Sequence, residues 1–90
     1  MAFAKVSLTA GDWTLIGDNV THITFSNTSQ FPIYINLTTT NTAPTEDYGI
    51  LYNIKEGEKD TVLTNLAPNS PSYVLARPSG GNDLSIVVDQ

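Results

Sequence analysis

A single histidine, His22, and nine acidic side chains are the groups in this 90-residue chain best suited to move protons or hold metals. A Ser-His-Asp relay needs the histidine beside a presented nucleophile, as on a strained strand-to-helix elbow. His22 instead sits in the alternating run Thr21-His22-Ile23, which reads as a strand, and no such elbow occurs elsewhere. The pattern predicts a hydrogen-bonding surface histidine and no enzyme. The acids fall into Glu46-Asp47 and Glu56-x-Glu58-x-Asp60. Neither group has the fixed ligand positions of an EF-hand loop, so solvated loop charge is the expectation. Cysteine is absent, which removes thiolate ligands, thiol nucleophiles and disulfides. Catalytic residues, metal ligands and cofactors are therefore all expected to be none.

Two further stretches could carry binding. Pro78-Ser-Gly-Gly-Asn-Asp83 is glycine-rich, but a phosphate cradle needs a helix N-terminus after it. Here a strand pattern follows, so the stretch reads as a hairpin connection with Gly80 and Gly81 at positive φ. Trp13 and the tyrosines 34, 48, 52 and 73 could stack on a sugar. Trp13 is expected to pack into the core at the start of a strand. Tyr34 differs, because alternation turns it away from Ile33 and Ile35. Beside Pro32 it forms a candidate patch for contact with another chain.

Positioning these residues falls to strands. Apolar and polar residues alternate in FPIYINLT, LSIVVD, AKVSLT and VTHITFSN, the period-2 signal of antiparallel sheets with one covered face. Strands are predicted near 3–9, 12–16, 20–26, 32–38, 49–54, 60–64, 72–77 and 84–89, with turns rich in Gly, Pro, Asn and Asp between them. No segment holds a helical period. The fold class is all-β, a small antiparallel sandwich or barrel of seven or eight strands with no substantial helix. Its expected core is Val6, Leu8, Leu15, Ile23, Phe25, Ile33, Ile35, Leu37, Leu63, Leu75, Leu84, Ile86 and Val88.

The chain reads as one domain, 1–90, in which residues 38–49 (TTTNTAPTEDYG) form a long loop or projecting arm. Loops of that length in small domains are usually put to use, and Ala43, Pro44 and Tyr48 supply its apolar surface. A net charge of −5 with four scattered basic residues argues against nucleic acid and against anionic membranes. The N-terminus lacks the roughly 7–15-residue apolar stretch of a signal peptide, and no run approaches the 18 or so apolar residues of a membrane helix. Sequons at Asn19, Asn27 and Asn36 are what an Asn-, Ser- and Thr-rich chain produces by composition. A domain this small without disulfide or thiolate-bound metal is expected to gain stability from other chains.

The order of segments also resembles that of small virion proteins of tailed bacteriophages and prophages. The likeness runs over residues 12–88 and is carried by DWTLIGDNVTHITFSN, FPIYIN, the Ala43-Pro44-Thr45 loop, GILY and Gly57-Glu58. Such chains often have Pro-Gly-x-Gly-Glu where this one has Ile54-Lys55-Glu56-Gly57-Glu58. The resemblance implies a non-enzymatic structural place in the particle: a capsid decoration or cement protein, or a tail-associated one. Its partners would be the major capsid protein or other virion subunits, and the chain would form a homo-oligomer, with a trimer favoured. Localisation would be the virion, assembled in the bacterial cytoplasm. The alternative expectation is a ligand- or carbohydrate-binding β-module of a phage tail or adhesin.

Overall fold

Alternating side chains become eight strands in a computed structural model of the protein, which describes residues 3–89. They are β1 (Phe3–Leu8), β2 (Thr14–Gly17), β3 (His22–Ser26), β4 (Ile33–Thr38), β5 (Ile50–Tyr52), β6 (Gly57–Val62), β7 (Tyr73–Pro78) and β8 (Leu84–Asp89). Among the described residues the one helical element is a 3-10 turn at Leu63–Asn65, where a strand over 60–64 was expected. Two four-stranded sheets, ordered β1-β8-β3-β6 and β2-β7-β4-β5, stack as a sandwich and do not close into a barrel.

The pairing follows a simple rule. β1 pairs with β8, β2 with β7, β3 with β6 and β4 with β5, all antiparallel. The whole chain is thus one long hairpin, rolled so that β3 also meets β8 and β4 also meets β7. This is the double-sheet jelly-roll arrangement. The segment 39–49 is the tip of that hairpin, and β4–β5 is the one sequence-adjacent pair that shares a sheet. Every other connection between the described strands crosses the sandwich. The 79–83 segment, expected as a hairpin, instead carries the chain from β7 in one sheet to β8 in the other. Gly80 and Gly81 do not take positive φ there, since no tight two-strand turn has to be made.

Burial follows the pleat. Leu8, Ile86, Val88, Ile23 and Phe25 face inward from the first sheet, and Ile33, Ile35, Val74, Ala76 and Tyr52 from the second. Leu63, in the 3-10 turn, joins this core, while Val6, Leu37 and Leu84 are only partly covered. Leu15 departs from expectation. It is 37% exposed, and the buried hydrophobic side chain of β2 is Ile16. Register shifts between Leu15 and Gly17, so Ile16 is the extra residue of a bulge and Gly17 also turns inward toward Val74. In a four-residue strand with apolar residues on both faces, alternation alone cannot say which face is in. A second bulge, in β6, puts Asp60 at φ 49° and lets its backbone N–H donate to Thr24 Oγ1 at 2.7 Å.

Candidate functional site

The second sheet's outer face carries Tyr34 and the side chains that tether the 38–49 loop. Cross-strand register aligns Leu51, Tyr34 and Arg77 in one row and Asn36, Leu75 and Leu15 in the next. Trp13 continues the first row, its ring 5.3 Å from the Arg77 guanidinium carbon, a cation–π stack worth about 0.5–2 kcal/mol. Its indole Nε1 donates to the Glu46 carbonyl at 2.9 Å, and Asn36 Nδ2 donates to the Tyr48 carbonyl at 3.4 Å. These two bonds tie the far half of the 38–49 loop back to the sheet. Between the tethers Leu75 is 3% exposed despite lying on the face opposite Val74 and Ala76. Trp13 therefore does not enter the core between the sheets, as was expected. It clamps the hairpin tip instead.

The five expected contact residues are only partly united. Pro32 and Tyr34 are half-buried at the start of β4, where the Pro32 carbonyl accepts from Ser79 Oγ at 2.9 Å. Tyr48 is 61% exposed and lies near the same edge through its tie to Asn36. Ala43 and Pro44 sit in the middle of the loop, lining an open groove of about 470 Å³ with Thr38, Ala67 and Pro71. Sequence reasoning missed four more exposed apolar side chains around β5: Phe31, Ile50, Leu51 and Ile54. The signal for the last three was GILYNI, an apolar run at a short strand.

The chemistry-bearing residues are dispersed. His22 Nδ1 lies 2.8 Å from Thr21 Oγ1, both exposed. His22 borders an open groove of about 870 Å³ on the first sheet's outer face, with Phe3, Thr24, Lys59, Asp60 and Asp89. One buried oxygen of Asp89, Oδ1, has no hydrogen-bond partner among the described residues. The acids at 56–60 do not converge. Glu56 Oε1 accepts from the Asn53 N–H at 2.6 Å, and Glu58 turns inward to accept from Tyr52 Oη at 2.9 Å and Thr61 Oγ1 at 2.7 Å. Among the described residues no group of three metal-binding side chains occurs. Burial first, then the bond to Glu58 and the charges of Glu58 and Glu56, push the Tyr52 phenol above its ordinary pKa.

Asn27 is the polar residue that sequence reading placed least well. Expected in a surface turn, it is 0% exposed. Its Nδ2 donates to the carbonyls of Phe31, Tyr52 and Asn53 at 2.9, 3.3 and 3.2 Å, and its Oδ1 accepts from Ser29 N and Oγ. Its backbone pairs with Glu56 and Lys55. The Asn-x-Ser spacing that reads as a sequon is the local signature of this side chain bonding the backbone two residues on. No family model, curated protein or solved structure matches the chain.

Proposed function

We propose that the chain is a non-enzymatic structural protein of a bacteriophage virion, a decoration protein that binds and stabilises the assembled head lattice. The observation that supports this reading most is the exposed apolar surface around β5, where Phe31, Tyr48, Leu51 and Ile54 stand out from a body whose chemistry-bearing side chains are dispersed or committed to internal hydrogen bonds. Exposed large apolar side chains concentrated along one segment offer surface for contact with other macromolecules. A decoration protein needs no reaction. It acts by mass action, binding the lattice better than its free subunits. The jelly roll recurs in viral capsid domains, but also in lectins, so the fold supports the reading only by analogy. Partners in this proposal are the major capsid protein and further copies of the chain, and the place of action is the virion.

Co-sedimentation with purified heads and, separately, with tails tests the proposal. Binding to heads, weakened by Tyr48→Ala, is the expected result; binding to neither would overturn it. The second reading, a carbohydrate-binding module, is favoured by the groove of Phe3, His22, Asp60 and Asp89, which puts one aromatic ring beside several polar groups. A glycan array positive for wild type and negative for Phe3→Ala would select it.

A further inference from the structure

The hairpin tip, expected as a long loop or projecting arm, lies folded back over the second sheet. Trp13 Nε1, just before β2, holds the Glu46 carbonyl at 2.9 Å, and Asn36 Nδ2, on β4, holds the Tyr48 carbonyl at 3.4 Å. β7 runs between those two strands, and its Leu75, on the outer face, is only 3% exposed. The segment is therefore a strap across Leu75. Its own side chains gain little by lying there. All of residues 39–48 except Pro44 are exposed, and an open groove of about 470 Å³ separates the strap's first half from the 67–71 connection. Beside Trp13, Arg77 Nε is buried with no hydrogen-bond partner among the described residues, so the closed arrangement leaves a donor unsatisfied.

We infer that residues 41–48 are a stored arm, a strap latched at Trp13 that swings off the sheet as one unit while the sandwich stays folded. Segments with few buried side chains and exposed hydrogen bonds open at much lower free energy than strands sealed in a core. The strap has that make-up, whereas Val74 and Ala76 of β7 beneath it are buried between the sheets. Opening costs the Trp13 and Asn36 bonds and the cover over Leu75. In return, water reaches Arg77 Nε and the Glu46 and Tyr48 carbonyls. The moving part has firm bounds. Thr38 Oγ1 on β4 donates to the Thr40 carbonyl at 2.6 Å, and Gly49 lies against the Ile35 carbonyl. The opened arm carries the exposed Tyr48 ring away from the body and uncovers Leu75 behind it.

This inference stands without the virion reading, and its test uses the free protein alone. The chain has no cysteine, so one introduced thiol reports one site. Leu75→Cys and Val74→Cys place it at buried positions on the outer and inner faces of β7. A thiol reacts with a disulfide reagent only when it is exposed as thiolate. In the folded protein Leu75→Cys should label at least about a hundredfold faster than Val74→Cys, which waits for global unfolding. Adding Trp13→Phe removes the latch donor and should speed the Leu75→Cys reaction about fivefold. If either thiol variant fails to fold, hydrogen exchange of the unmodified protein decides. The Trp13 indole hydrogen and the 46–48 amides should exchange at rates nearly independent of sub-denaturing urea, while the β7 amides track global unfolding. Equal labelling of the two thiols, a Leu75→Cys rate indifferent to Trp13→Phe, or an indole whose urea dependence matches that of β7 would overturn the inference.

Discussion

Tyr52, from β5 in one sheet, donates its phenolic hydrogen to Glu58 of β6 in the other, 2.9 Å away, while Phe25 meets its ring edge-on with centroids 4.9 Å apart. The pair ties the sheets together and keeps the phenol protonated in the folded state. Its folded pKa is raised above the unfolded value of about 10. The stability this group contributes is therefore complete below about pH 10 and is lost as pH rises beyond it, because the unfolded chain releases the proton first. Urea midpoints measured from pH 8 to 11 should fall at the alkaline end. Tyr52→Phe should be less stable at pH 8 by about 1 kcal/mol and should fall less steeply above pH 10. Parallel alkaline limbs for the two proteins would contradict the assignment.

Asn27 should be among the most sensitive positions in the chain. Asn27→Ala strips the donor from three carbonyls in a site without solvent, which should cost about 2–4 kcal/mol. Asn27→Asp should cost more, since a carboxylate there faces those same carbonyls. Chemical denaturation of the three proteins ranks them, and an Asp variant as stable as wild type would refute the hydrogen-bond account.

Trp13 should govern the hairpin tip. Trp13→Phe keeps an aromatic face for Arg77 but loses the indole donor to Glu46. Amide hydrogen exchange around residues 45–48 should quicken, while the inward strands stay protected. Replacing 39–44 by a short turn spares both tethers and should leave the melting temperature nearly unchanged, because closure entropy varies slowly with loop length. Replacing 39–47 removes the Glu46 tether and should lower it measurably.

Gly49 holds β5 in register. A Cβ on it would run into the backbone carbonyl of Ile35. Backbone cannot yield there as a flexible side chain would, so Gly49→Ala should destabilise the fold by about 1–3 kcal/mol. Thermal unfolding checks this. An unchanged melting temperature would mean that β5 lies farther from β4 than its pairing indicates.

Period-2 alternation and turn residues made nearly every strand legible, along with the absence of helix and most inward residues. Ile33 and Ile35, or Ile86 and Val88, face inward because successive side chains of a strand point to opposite sides, a property of the local backbone. The apolar run GILYNI was equally open to view, yet not its exposure. Whether such a run is covered depends on its place in the sheet, and β5 lies at an edge. Leu15 and Ile16 could not be ranked for a related reason: the bulge that buries Ile16 exists only against β7. Asn27 looked like turn punctuation until the 53–56 connection, remote in sequence, closed over it. Trp13, Arg77 and Glu46 come together because the chain rolls up as one hairpin, which brings β2 beside β7 and the tip back over the sheet. Alternation decides which side of a strand a residue faces. Which strand lies alongside is decided by pairing between distant segments, and there only the tertiary structure could choose.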